Sequence, residues 1–93
     1  MKVKVSFLGL LRDRVGAPSL EVELPEGATF GELLDRLAPL VEDKLADWAW
    51  DREARRFAPR IMVSRSKMVG GYEDHSALND GEEILVFPPL AGG

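Results

Sequence analysis

Apolar and polar residues alternate along two segments near the start of the chain, Lys2 to Phe7 and Ser19 to Leu24. A period of two is typical of strands with one buried face, and here the buried set would be Val3, Val5, Phe7, Leu20, Val22 and Leu24. The residues between the two segments break the alternation and include Gly16 and Pro18. We therefore predict a hairpin of two strands joined by a short link.

A helix is predicted to follow this hairpin. Thr29 precedes Glu32 by three residues, which is the spacing of a capping box at a helix start. Apolar residues then recur at helical spacing, at Phe30, Leu33, Leu34, Leu37 and Val41. Pro39 cannot donate a backbone hydrogen bond, so we expect the helix to kink or stop near it, with a further turn or two over residues 40–45.

The rest of the chain predicts at least two more strands. Arg60 to Ser64 contains three consecutive apolar residues and is expected to form a short, mostly buried strand. Ser64 to Lys67 would turn the chain toward residues 68–69. Leu78 to Gly81 would form a turn before a last strand, Glu82 to Phe87.

An order of two strands, a helix and two or more strands favours one fold. A right-handed crossover through the helix would place the last strand beside the first, in parallel, at the centre of a mixed sheet. We therefore predict an α+β protein with the ubiquitin-like β-grasp fold, in which a mixed sheet of four to five strands packs on one main helix.

Residues 47–59 and the loop around residue 75 fit no regular pattern. Trp48 and Trp50 are expected to pack under a loop or hairpin, and partner binding is the alternative. His75 has no carboxylate or second histidine at ligand spacing, so we expect a loop residue and predict no metal site.

The composition excludes several classes of function. The 93 residues carry a net charge of −4, which argues against a groove that binds nucleic acid. The one basic cluster, Arg52, Arg55 and Arg56, is interleaved with acidic residues and predicts a solvated surface rather than an anion site. No cysteine is present, which excludes disulfides, thiolate metal sites and a sulfur nucleophile. With neither an apolar run of bilayer length nor a signal peptide, we expect a cytoplasmic protein without membrane contact.

The chain ends in the sequence FPPLAGG, residues 87–93. Two prolines with fixed φ favour an extended segment, and glycines let a backbone approach another surface closely. We predict a folded domain over residues 1–87 and a flexible tail over residues 88–93 that can enter a partner. Because one helix cannot cover both faces of a sheet, we also predict an exposed apolar docking patch of Leu8, Phe87 and Leu90. The alternative is that these three residues close the end of the core.

Three segments together resemble the sulfur-carrier proteins of the MoaD and ThiS type, the family of the molybdopterin synthase small subunit. They are Phe7 to Gly16, Leu78 to Glu83, and the terminal FPPLAGG. The resemblance implies that an ATP-dependent enzyme, related to those that activate ubiquitin, joins AMP to the carboxylate of Gly93. A sulfur donor protein would then displace AMP and leave a thiocarboxylate. The chain would carry sulfur and catalyse nothing alone.

The resemblance also implies roles for the residues before Gly93. Gly92, without a side chain, and the small Ala91 would fit a narrow slot in the activating enzyme, and the two prolines would lower the ordering cost of insertion. The expected partner-binding residues are Leu8, Phe87, Pro88, Pro89, Leu90 and Ala91. No bound cofactor is expected, because ATP is used by the activating enzyme.

Three hypotheses are consistent with these residues. The first is a sulfur carrier, above all the small subunit of molybdopterin synthase, whose tail enters the large subunit; carriers for thiamine or transfer RNA thiolation are variants of it. The second is a ubiquitin-like modifier, whose adenylated Gly93 is attacked by a lysine of another protein. The third is a non-catalytic β-grasp interaction module. The first two share every residue named above, so the sequence does not separate them.

Overall fold

A computed structural model describes residues 1–65, 68–69 and 76–89. This part of the chain forms seven strands and two helices. In chain order they are β1 (Lys2–Phe7), α1 (Leu10–Val15), β2 (Ser19–Glu23), α2 (Phe30–Val41), β3 (Trp50–Asp51), β4 (Arg56–Phe57), β5 (Met62–Arg65), β6 (Met68–Val69) and β7 (Glu83–Phe87).

Five strands form one mixed sheet in the order β2, β1, β7, β5, β6. β1 pairs antiparallel with β2 and parallel with β7, and β5 pairs antiparallel with both β7 and β6. The parallel contact between the first and last strands confirms the predicted crossover through the main helix. The architecture is therefore the predicted α+β, ubiquitin-like β-grasp arrangement.

The main helix α2 begins at the predicted capping box. The backbone N–H of Glu32 donates to Thr29 Oγ1 at 3.3 Å, and the N–H of Thr29 donates to Glu32 Oε1 at 3.4 Å. The helix includes Pro39 and ends two residues after it, at Val41, close to the predicted stop. One more turn, closed by the Leu45 N–H on the Val41 carbonyl at 2.9 Å, follows as predicted.

One helix packs on one face of the sheet, and their apolar residues form a single core. The sheet contributes Val3, Val5, Phe7, Val22, Ile84 and Val86, and α2 contributes Phe30, Leu33, Leu34, Leu37, Ala38 and Val41. The predicted inward positions of the first strand and of α2 are all buried. Burial of this apolar surface is the main favourable contribution to folding.

The link between β1 and β2 differs from the short connection that we predicted, because it contains the helix α1. Leu11 and Val15, four residues apart, are buried beneath this helix. Gly16 ends it with a φ of +84°, in the left-handed region that favours glycine. Six residues make too few turns for a helical period to stand out in the sequence.

Residues 47–59 contain a second, two-stranded sheet of β3 and β4. Trp50 is 1% exposed and packs edge-on against Phe57, with ring centroids 5.0 Å apart, which confirms its predicted packing role. Trp48 is 39% exposed, so the same prediction is wrong for it. Arg52, Arg55 and Arg56 are exposed, as predicted, whereas His75 lies outside the described residues.

A buried ion pair holds the start of β7. Arg65 lies in strand β5, one residue past the strand that we predicted, and its guanidinium makes a two-point contact with the Glu82 carboxylate. The two side chains are 7% and 5% exposed. Glu82 Oε1 also accepts from the backbone N–H of Asn79 at 3.1 Å. Burial raises the pKa of Glu82, but the hydrogen bonds from Arg65 and Asn79 and the charge of Arg65 outweigh it, so the pKa lies below its usual 4.5.

Candidate partner-docking site at the base of the tail

The tail leaves the protein from β7, which is the central strand of the five-stranded sheet. Its side chains alternate between two faces: Ile84 and Val86 are buried in the core, and Leu85 and Phe87 are half-buried on the opposite face. We call this second face, which points away from α2, the open face. Phe87, the last residue of β7 before the tail, therefore places an aromatic side chain on the open face.

Charge and apolar character are separated along the open face. At the end remote from the tail, Lys4 Nζ lies 3.7 Å from Glu83 Oε2, which also accepts a hydrogen bond from Ser6 Oγ at 2.9 Å. At the tail end, Phe87 pairs in register with Met62 of β5. The polar groups are thus satisfied by each other, and the apolar side chains are collected where the tail begins.

Leu8 adds a third apolar residue at this end. Its backbone N–H donates to the Val86 carbonyl at 3.0 Å, which continues the pairing of β1 with β7 by one residue beyond Phe7. Leu8 and Phe87 are half-buried, whereas Met62 is 52% exposed. We call Leu8, Met62 and Phe87 the tail-base patch.

The sequence predicts Leu8 and Phe87 in such a patch, but it predicts a mostly buried strand for Met62. That expectation is wrong for Met62, because alternation along β5 turns it to the open face while Ile61 before it is buried. Ile61 to Val63 are all apolar, so the sequence does not show which of the three faces outward. The β5–β7 register supplies the missing signal, since it sets Met62 opposite Phe87.

The first proline of the tail lies against Gly9, the residue just before α1. A Cβ atom placed on Gly9 would lie 3.3 Å from Pro88 Cγ, so a side chain there would make a tight contact with the proline ring. Pro88 and Pro89 are both half-buried. Leu90, Ala91, Gly92 and Gly93 lie outside the described residues, and the roles assigned to them stay predictions.

Other kinds of site find no support in the part of the chain that the structure describes. No group of three or more histidine, cysteine or acidic residues there could hold a metal ion. The only histidine of the sequence, His75, is outside the described ranges, so no histidine stands beside a hydroxyl in them. Within the same ranges, neither helix has the length and apolar character needed to cross a membrane.

Comparison with known proteins agrees with this fold. The model of the ThiS family matches residues 5–93, which is nearly the whole chain and includes its two last glycines. Small archaeal modifier protein 3 of Haloferax volcanii is 28% identical over 95 residues, and the alignment covers all of both chains.

Solved structures extend the comparison. The crystal structure of SAMP1 from Haloferax volcanii has a TM-score of 0.78 at 22% identity over all of both chains, a likeness in fold. A structure assigned as molybdopterin converting factor, subunit 1, from Pyrococcus furiosus has a TM-score of 0.68 at 26% identity, covering 97% of this chain and 99% of the other.

A further likeness concerns assembly with a partner. A chain of the Amycolatopsis orientalis BexX/CysO complex has a TM-score of 0.62 at 25% identity, covering 98% of this chain and 99% of the other. Proteins of this fold and size therefore include one that was crystallised in a complex with a second protein.

Proposed function

Because the chain belongs to the ThiS family of sulfur carriers and ubiquitin-like modifiers, we propose that it is a sulfur carrier that works through the carboxylate of Gly93. The observation that carries the proposal is the family match, which extends to residue 93. The fold agrees with it, because the tail continues directly from β7, the central strand of the sheet. The proposed activity needs a partner, because the carboxylate of Gly93 must be activated by an enzyme before it can accept sulfur.

The proposed chemistry has two steps. A carboxylate oxygen of Gly93 attacks the α-phosphate of ATP, pyrophosphate leaves, and an acyl adenylate forms on an activating enzyme. In the second step the terminal sulfur of a persulfide on a donor protein attacks the acyl carbon and AMP leaves with the oxygen. A thiol then cleaves the S–S bond of the resulting acyl persulfide, which frees the thiocarboxylate and leaves a disulfide between that thiol and the donor. Adenylation is required because a free carboxylate has no good leaving group.

The acceptor that we propose is a pterin precursor, with this chain as the small subunit of molybdopterin synthase in molybdenum cofactor biosynthesis. The likeness to the Pyrococcus furiosus protein supports this assignment. Its partners would be an ATP-dependent adenylyltransferase, a sulfur donor protein and the large synthase subunit, in the cytoplasm. Carriers for thiamine or transfer RNA thiolation would use the same tail.

A second candidate function rests on its own observation. A small archaeal modifier protein that is 28% identical matches over the whole of both chains. In a modifier, the activated Gly93 is attacked by a lysine amine of another protein and an isopeptide bond forms. Both functions share the adenylate, and they differ only in the nucleophile that takes the acyl group.

Intact mass of the protein isolated from its native host separates the two candidates. A carrier is expected to show a species in which one oxygen of Gly93 is replaced by sulfur. A modifier is expected to appear in covalent conjugates that are larger by a whole protein, with Gly93 joined to a lysine. The protein is isolated under conditions that keep thiocarboxylates intact. Covalent conjugates are sought in the same preparation, so that either species can be detected. Conjugates without any thiocarboxylate would contradict the carrier proposal.

We expect Phe87→Arg to weaken partner binding more than folding. An aromatic anchor in an interface commonly contributes ~2 kcal/mol or more, and a tenfold loss of affinity corresponds to about 1.4 kcal/mol. Phe87 is only half-buried in the isolated chain, so its replacement should cost the fold about 1 kcal/mol. Affinity for the activating enzyme by calorimetry, and the thermal midpoint of the free variant, are the two measurements.

Leu85→Arg is the matched control for this variant. Leu85 is on the same strand and face and is similarly half-buried, but it lies two positions farther from the tail. Leu85→Arg should therefore destabilise the fold about as much as Phe87→Arg does, and it should weaken partner binding less. A collapse of the Phe87→Arg midpoint, or equal losses of affinity in the two variants, would contradict a docking role for the tail-base patch.

A further inference from the structure

Gly9 stands where β1 leaves the sheet. Leu8 makes the last backbone hydrogen bond to β7, and the next residue but one, Leu10, begins α1. Between them Gly9 has φ of +58° and ψ of −134°, and its carbonyl accepts from the Arg12 N–H at 3.1 Å. The chain passes from the sheet into α1 at this residue, and Pro88, the first residue of the tail, lies beside it.

Gly9 differs from the other described glycines that have positive φ. A Cβ atom added to Gly16, Gly27 or Gly81 would meet no atom within 4 Å. At Gly9 the same Cβ would lie 3.3 Å from Pro88 Cγ and 3.8 Å from Pro88 Cδ. Gly9 thus has a backbone conformation that favours glycine, and a side chain there would make a tight contact with the proline ring.

We infer that the close approach of the Pro88 ring to Gly9 is a positioning contact. It sets the direction in which the tail leaves the sheet. Pro88 immediately follows Phe87, the last residue of β7, and its ring fixes its own φ. With that ring held against Gly9, the direction in which Pro89 follows Pro88 is restricted before any partner binds. Restricting a segment in its binding direction lowers the entropy that is lost on binding. The inference rests on the proposed function, because it concerns presentation of Gly93 to the activating enzyme.

The test measures ATP–pyrophosphate exchange by the activating enzyme at varied concentrations of the carrier. Gly9→Ala should raise KM about tenfold and leave kcat nearly unchanged, within the range of coupling between contacting groups. Pro88→Ala, which removes the ring without touching the strained glycine, should raise KM in the same direction. Because an unfolded fraction of the carrier would also raise the apparent KM, the thermal midpoint of each variant is measured alongside and must lie above the assay temperature.

Two further variants separate the contact from backbone strain. Gly27→Ala introduces a side chain at a similar φ, +82°, in open space, and should leave KM unchanged even where the thermal midpoint falls. In the Pro88→Ala background the added methyl group has no ring to meet, so Gly9→Ala should raise KM by less than about twofold.

The outcomes are distinct. A rise in KM for Gly9→Ala that depends on the Pro88 ring supports the positioning contact. An unchanged KM in Gly9→Ala, or an equal rise with and without the ring, overturns it while leaving the proposed function intact. No exchange with the wild-type chain and its cognate enzyme overturns the proposed function, and the inference with it.

Discussion

Deletion of Gly93 is expected to abolish pyrophosphate exchange by the activating enzyme. The shortened chain still ends in a glycine carboxylate, Gly92, but that carboxylate is withdrawn by one residue, about 3.5 Å. Misplacement of a reacting atom by as little as ~1 Å can cost a hundredfold in rate, so a loss of at least ~100-fold is expected. The measurement is exchange of labelled pyrophosphate into ATP, with the full-length chain in parallel.

Two controls make this result specific. The thermal midpoint of the shortened chain should match that of the parent, because the last residues of a tail contribute little to a core. Gly92→Val retains the length and the carboxylate and should also block activation, since a β-branched side chain fills a slot sized for glycine. Normal exchange by the shortened chain would mean that the reacting carboxylate is not that of Gly93.

The second large effect concerns folding. Arg65→Met is expected to destabilise the protein by ~3–5 kcal/mol, the usual cost of leaving one partner of a buried ion pair uncompensated. Glu82 would keep its hydrogen bond from the Asn79 N–H but lose the guanidinium, and the Ala77 carbonyl would lose the Arg65 Nη2 donor at 2.8 Å. Since small domains have a total stability of about 5–15 kcal/mol, the variant should lie close to unfolding. Urea denaturation of both proteins measures the difference.

The pH dependence of this difference tests its electrostatic origin. The lowered pKa of Glu82 gives the wild type a contribution that is complete above the usual value of 4.5 and is lost as the pH falls through the lowered value. In Arg65→Met, protonation of Glu82 removes the uncompensated charge. The gap in stability between the two proteins should therefore narrow on acidification.

A double variant provides the remaining control. Arg65→Met combined with Glu82→Leu replaces both charges by apolar groups and should recover much of the loss, as replacement of a whole buried pair often does. Exposed Glu21→Gln on β2 should show no such coupling. If the double variant is as unstable as Arg65→Met, or if the gap widens in acid, the ion pair does not hold β7 as described.

The parts of the fold that the sequence predicts are those with a long, regular pattern. β1 alternates over six residues, and α2 combines a capping box with five apolar residues at helical spacing, so both were located from local signals. Their order, with the rule for crossover handedness, was enough to pair the first strand with the last. Leu8 and Phe87 were placed near the tail by the same alternation.

The features that the sequence did not predict depend on contacts between distant residues. The pairing of Arg65 with Glu82 follows from the β5–β7 register, which no local pattern specifies. The outward position of Met62 follows from the same register. A side chain at position 9 would make a tight contact because Pro88, from the far end of the chain, lies against it. A single sequence contains these residues but not the distances between them.

The central claim, that the carboxylate of Gly93 receives sulfur, is tested most directly by reconstitution. The purified chain is incubated with its activating enzyme, ATP and a sulfide source, and the C-terminal peptide is analysed by mass spectrometry. We predict a peptide in which one carboxylate oxygen of Gly93 is replaced by sulfur, formed only when ATP is present. An unmodified C-terminal peptide from a reaction in which ATP is cleaved, or sulfur on any other residue, would contradict the claim.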